Sequence, residues 1–199
     1  MKVFLTGMFC ASVIFLMLFL MLHRVGRVPR HDASGPNALY REQLLKTESQ
    51  AVNPPAGSEA EQRLVERVQR AFSPFSVENV VAYFPEAYAE TFYFRDAFHV
   101  FTELEPMVAY MEATADASPG VTFEFEAPAR NGIDFYLPWV MVLPGENGSV
   151  GQRSVGVSRL RFNEDGKVIF HQDYWDSADV LVKRVPVANG LIELVRRRF

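Results

Sequence analysis

The chain has 199 residues, a net charge of −4 and 49% hydrophobic residues, which leaves room for one domain of moderate size rather than two. Its one cysteine, Cys10, lies in an apolar leader, which excludes an intramolecular disulfide and a cysteine-based metal site. No basic run with interleaved aromatics comes after that leader, which argues against nucleic acid as a partner, while 17 phenylalanines suit a sheet wrapped around a large apolar interior.

Val3 to Leu22 is a run of 20 residues without a charge, long enough to cross a bilayer core as one helix. The run ends in Met21-Leu22-His23-Arg24 rather than at a small-residue cleavage site, so residues 1–23 read as an uncleaved single-pass membrane anchor. Met8 and Phe9 before Cys10 do not suit a lipoprotein signal. Lys2 lies on one side and Arg24, Arg27 and Arg30 on the other, a bias that favours the cytoplasmic side of a bacterial-type inner membrane for the C-terminal domain. From Arg24 to Gly57 the composition turns to Pro, Gly, Ser, Asn and charge, with a short helix over Ala38 to Lys46, so residues 24–57 read as a flexible linker closed by Pro54-Pro55. The folded domain is then 58–199.

Ser58-Glu59-Ala60-Glu61 has the capping-box pattern, and Leu64, Val65, Val68, Ala71 and Phe72 come after it at helical spacing. A second helix starts at Ser76, buries Val77, Val80, Val81 and Phe84, and is expected to end at Pro85. Tyr88 to Asp96 alternates as a strand, with Phe92, Phe94 and Asp96 on one face. Thr102-Glu103-Leu104-Glu105 reads as the cap of a third helix that buries Met107, Val108, Met111 and Ala115. After Pro119-Gly120 the chain is strand and turn. Val121, Phe123 and Phe125 share a face, and Asn131-Gly132 turns the chain into Ile133 to Leu143, where Phe135, Leu137, Trp139 and Met141 share a face. Pro138 there implies a bulge or an edge. Gly151 to Phe162 returns as a long strand, and Asn163 to Gly166 turns it into Lys167 to Asp176, where His171, Asp173 and Trp175 share a face. Two short helices, split by Pro186 and Asn189-Gly190, are expected to close the chain.

Three helices, one strand inserted between the second and third, then a sheet of long strands is the element order of the nuclear transport factor 2-like superfamily. Tyr93-Phe94-Arg95-Asp96-Ala97-Phe98-His99 resembles the post-helix strand of its SnoaL-like polyketide cyclase and ketosteroid isomerase-type branch. Phe162-Asn163-Glu164-Asp165-Gly166-Lys167 with His171-Gln172-Asp173-Tyr174-Trp175-Asp176 after it resembles its last two strands. The chain departs from that branch in carrying Ala97 after Asp96, where relatives carry proline, and Thr102 where they often carry glycine. The resemblance, over residues 58–199, implies an α+β fold, a cone-shaped curved antiparallel sheet packed against N-terminal helices, here preceded by one transmembrane helix.

In such a fold acids and bases project from the concave sheet face into an apolar pocket, where desolvation shifts their ionisation. His171 with Asp173 supplies a general base and its orienting carboxylate from one strand; the plainer reading is a solvated polar pair on an open face. Asp96, among Phe92 and Phe94, is either an acid kept protonated by apolar neighbours or a loop cap, and His99 is either a further catalytic group or a packed core histidine. Phe94, Phe135, Trp139, Met141 and Trp175 are pocket walls or core packing. No tight histidine spacing supports a metal site from His99, His171, Asp96 and Asp173, so neither metal nor cofactor is expected. Three functions stay open: an isomerase, cyclase or hydrolase acting by general acid-base catalysis on a small apolar molecule, a non-catalytic binder of such a molecule, and a module for homodimer formation or another interaction. The anchor adds the membrane, through residues 3–22, as a partner.

Overall fold

The computed structural model describes residues 34–145, 150–177 and 186–198. The chain falls into two units, Met1–Arg41 and Glu42–Phe199. Of the first, only the opening of helix α1, Ser34–Glu48, is described, and this helix is longer than the Ala38 to Lys46 expected. The candidate span at 3–22 lies outside the described residues; among those described, no helix is long and apolar enough to cross a membrane.

In the second unit α1 runs on to Glu48, and α2 (Glu59–Phe72) and α3 (Val77–Ala87) come next. Ser58 caps α2 by accepting the Glu61 amide at 3.2 Å, while the Glu61 carboxylate reaches back to the Gly57 amide. Ser76 caps α3 through the Asn79 amide at 3.2 Å. Pro85 does not end α3: it sits inside the last turn, and the helix closes at Ala87 with the Tyr88 amide on the Phe84 carbonyl. Strand β1 (Tyr88–Arg95) and strand β2 (Val100–Glu103) form a hairpin that leads into α4 (Leu104–Ala117). The residue at the N-cap of α4 is Glu103, one later than the capping box suggested, and its side chain makes no capping bond. Strands β3 (Thr122–Phe125), β4 (Ala129–Asn131), β5 (Asp134–Pro144), β6 (Val150–Phe162) and β7 (Val168–Trp175) then complete the sheet. Helix α5 (Pro186–Arg196) is continuous through Asn189-Gly190, with Pro186 at its first position, where a missing N–H costs nothing.

The seven strands form one curved, unclosed sheet in the order β2-β1-β7-β6-β5-β3, with β4 also on β5. The expectation of an antiparallel sheet holds for every pair but one, since β1 and β7 run parallel. Hairpin connection forces antiparallel pairing, but β1 and β7 are far apart in the chain and no turn constrains their sense. Of the two alternatives for Pro138, a bulge or an edge, the bulge is not seen. Pro138 pairs with Val157 in an unbroken register, and on its other side it falls in the gap between β3 and β4, where its carbonyl takes the Glu126 amide at 3.1 Å. A strand that lacks one donor is tolerated where its neighbour is interrupted.

The concave face receives α2, α3 and α4. Leu64, Val65, Val68 and Ala71 of α2, Val80 and Phe84 of α3, and Met107, Met111 and Ala115 of α4 are buried in one core with Phe92, Phe94, Phe135 and Leu137 of the sheet. Each fully buried large aliphatic contributes about 1.5–3 kcal/mol. The convex face is also covered in part. Asp134 accepts two hydrogen bonds from Arg159 (3.0 and 2.6 Å) and two from Arg161 (2.6 and 3.2 Å). Arg161 also donates to the Leu44 carbonyl and the Thr47 hydroxyl of α1 at 2.5 and 3.0 Å. Residues after α1 carry contacts of their own: the Val52 amide donates to the Phe162 carbonyl at 2.8 Å, and Arg130 donates to the Pro54 carbonyl at 2.6 Å.

Candidate functional site

Between the helices and the concave face lies a cavity of about 200 Å³, walled by apolar side chains from α2, α4 and five strands. Strand alternation sends His171, Asp173 and Trp175 of β7 to this side, and Leu137, Trp139 and Met141 of β5 meet them across Ser158 of β6. Phe94, Phe72 and Phe123 close the apolar wall, and Phe98, half exposed, meets Trp175 edge-on at 6.3 Å between ring centres.

Of the candidate site residues, Asp96, Asp173, His171, Phe94, Trp139, Met141 and Trp175 line the cavity. Phe135 and His99 do not. Phe135 shares the face of Trp139 but lies farther along β5, where it is fully buried against Phe162 at 5.0 Å and beneath the Arg130 guanidinium at 4.3 Å. His99 is exposed on the β1–β2 loop, its ring 4.4 Å from that of Tyr110 and 5.9 Å from that of Phe101.

His171 is 2% exposed and both ring nitrogens are engaged: Nδ1 lies 2.6 Å from the Tyr88 hydroxyl and Nε2 lies 2.7 Å from Asp173 Oδ1. Burial, then the charge of Asp173, pushes the Tyr88 phenol well above its ordinary range, so Tyr88 keeps its proton. Asp173 is an acceptor, so Nε2 carries a hydrogen and donates to it, and in the neutral tautomer that leaves Nδ1 to accept from the Tyr88 hydroxyl. From the other side Trp139 Nε1 donates to Ser158 Oγ at 2.9 Å, and Ser158 donates to the same Asp173 Oδ1 at 2.5 Å. Two buried relays thus converge on one carboxylate oxygen. The other, Oδ2, takes no hydrogen bond among the described residues, on a side chain 14% exposed at the cavity wall.

Asp96 is built differently. Its Oδ1 accepts the amides of Phe98 and His99, each at 2.6 Å, and its Oδ2 accepts the Tyr110 hydroxyl at 2.6 Å. Three donors hold the carboxylate as an acceptor, which is the loop-cap reading, and the loop they fix carries Phe98 to the cavity mouth. Burial, then the hydrogen bond and charge of Asp96, pushes the Tyr110 phenol far up, so its proton stays committed to Asp96.

Tyr88, Tyr110 and Ser158 were not among the residues the sequence singled out. Ser158 had a legible signal, since Ser154, Gly156 and Ser158 form a small-residue face on β6 opposite the bulky face of β5. At Gly156 an added Cβ would lie 2.3 Å from the Trp139 indole, so only glycine leaves that ring its place. Among the described residues no group of three or more acidic, histidine or cysteine side chains is arranged to hold a metal.

No known family profile and no curated protein matches the sequence. Solved structures do match. A candidate SnoaL-like polyketide cyclase from Jannaschia sp. CCS1 is 15% identical, with 65% of this chain and 96% of that one aligned at a TM-score of 0.52. A candidate polyketide cyclase from Acidithiobacillus ferrooxidans is 14% identical over 68% of this chain and 99% of its own, also at 0.52. A candidate isomerase of the SnoaL-like family from Agrobacterium tumefaciens strain C58 is 16% identical over 60% of this chain and 100% of its own, at 0.50. At these identities the likeness defines the fold, which is nuclear transport factor 2-like, and leaves the chemistry to the site.

Proposed function

We propose that the domain is a small-molecule isomerase or cyclase in which Asp173 is the group that moves a proton. The observation that carries this is the convergence of His171 and Ser158 on Oδ1 of a residue that lines an apolar cavity, with Oδ2 taking no hydrogen bond among the described residues. A carboxylate held on one oxygen by two donors is oriented, and its remaining lone pairs face whatever the cavity contains. His171 is then a positioning residue rather than the base, because its one lone pair is spent on Tyr88. In a proton transfer Asp173 takes a proton from a substrate carbon and returns it at a second position, and the two donors on Oδ1 keep the reacting oxygen in register. Engineered cavities near 150 Å³ admit benzene, so about 200 Å³ suits one or two small rings rather than a long polycycle.

We further propose that residues 3–22 tether the domain to a membrane, on the strength of the uncharged run alone. The second reading, a non-catalytic binder, is favoured by the fact that Asp96 and Tyr110 spend their polar atoms on each other and on the loop, leaving no second acid poised in the cavity.

The test is hydrogen–deuterium exchange at carbon. One- and two-ring ketones are incubated in D₂O with the wild type and with Asp173→Asn, and exchange is monitored by NMR. A positioned general base accelerates exchange by about 10²–10⁴, and the variant is expected to lose that factor. Ligand binding without exchange above the buffer rate for any ketone defeats the catalytic reading and leaves the binder.

A further inference from the structure

The cavity carries two carboxylates, Asp96 and Asp173, and among the described residues no lysine or arginine lines it. His171 offers a ligand no free donor, since its two ring nitrogens are engaged by Tyr88 and Asp173. Both carboxylates lie near Tyr110, whose phenol is pushed up by burial first, then by Asp96 and more weakly by Asp173. Around them stand the rings of Phe72, Phe94, Phe98, Phe123, Trp139 and Trp175. Aromatic faces carry negative potential, which attracts a cation and repels an anion.

From this lining we infer that the ligand is a small organic cation, a protonated or quaternary amine carried on one or two apolar rings. The inference rests on the reading of Asp173 as the working carboxylate and narrows it. Three kinds of ligand can be compared on electrostatic grounds. An anion brings a third negative charge into a space with no basic partner. A neutral apolar molecule strips water from Asp173 Oδ2 and puts nothing in its place, and a desolvated, unpaired carboxylate is costly. A cation pairs with the carboxylate charge among aromatic side chains, the kind of surrounding that holds quaternary ammonium groups in aromatic cages. An ammonium group next to the reacting carbon would also meet the negative charge that develops there in a proton transfer, a task that no basic side chain in the cavity is placed to perform.

The two tryptophans of the chain, Trp139 and Trp175, both line the cavity, so intrinsic fluorescence reports on it directly. Three probes of matched size are titrated into the full-length protein: benzyltrimethylammonium, its uncharged isostere neopentylbenzene, and phenylacetate. The cation is expected to bind about tenfold or more tighter than the isostere, and phenylacetate weakest. Asp173→Asn is expected to reduce that preference by about tenfold, weakening the cation's binding and easing the isostere's by removing the charge it would desolvate. If neopentylbenzene binds as tightly as the cation, or phenylacetate binds tightest, the inference is overturned while the ligand-cavity reading survives. If none of the three perturbs the fluorescence, both fall.

Discussion

Tyr88→Phe removes one oxygen atom from the interior and asks whether the Tyr88–His171–Asp173 relay is real. The ring itself is retained, stacked on Phe84 at 5.5 Å and packed against Phe92 at 5.2 Å, so the change opens almost no cavity. What is lost is the donor to His171 Nδ1, on a side chain only 2% exposed, where water does not readily replace it. A buried acceptor left without a partner costs about 1–3 kcal/mol. Switching the tautomer does not help, because the hydrogen would then sit on Nδ1 with no acceptor and be missing from the bond to Asp173. Urea unfolding monitored by circular dichroism should show a lower midpoint with an unchanged slope, and Tm should fall by about 2–4 °C for each kcal/mol lost. Nitrogen NMR of the wild type should place the imidazole hydrogen on Nε2. A stability loss below about 0.5 kcal/mol, outside the range for an orphaned buried acceptor, or a hydrogen found on Nδ1, would refute the relay.

Gly156→Ala should displace the Trp139 indole, break its bond to Ser158 and shift tryptophan emission, at an overpacking cost of about 1–3 kcal/mol; an unchanged spectrum and midpoint would show that the ring has room. Burial pushes the Asp134 carboxyl up, but hydrogen bonds from Arg159 and Arg161 outweigh it and hold the group below its ordinary value of 3.8. The folded state therefore binds fewer protons than the unfolded one, and the resulting stability is present above the unfolded value and lost as pH falls through the folded one. Asp134→Asn should flatten the fall in urea midpoint between about pH 5 and 2, and a wild-type fall that survives the substitution counts against the assignment. In cell fractionation the protein should stay uncut in membranes, and a soluble form lacking about its first 30 residues would contradict the anchor.

Local rules made some of the fold legible. Ser58 and Ser76 cap their helices because capping depends on neighbours three residues away, and the period of two placed His171, Asp173 and Trp175 on one face of β7. The rest depended on distance. The partner of His171 Nδ1 is 83 residues earlier in the chain, and no spacing rule reaches that far. Pro85 looked like a helix stop, yet the last turn of a helix tolerates it when the next amide can still find the Phe84 carbonyl. Phe135 had the right face and the wrong height, since alternation sorts side chains between faces but says nothing of where along a strand a cavity begins. The roles within the His171–Asp173 pair are set by what each atom already bonds, which only three-dimensional neighbours disclose.

The place of β7 in the sheet has a consequence for how the molecule is made. It is the last strand among the described residues, but it lies in the interior of the sheet, between β1 and β6. Synthesis proceeds from the N-terminus, so β1 and β6 emerge first, each with an open edge facing a gap that only residues 168–175 can fill. Until then Tyr88 and Phe94 lack their neighbour on that side, and two unpaired edges invite pairing with other chains. A chain stalled or cleaved before residue 168 should accordingly aggregate rather than persist as a nearly complete domain, and the carboxylate at the centre of the proposed chemistry would enter the structure with the segment that closes it.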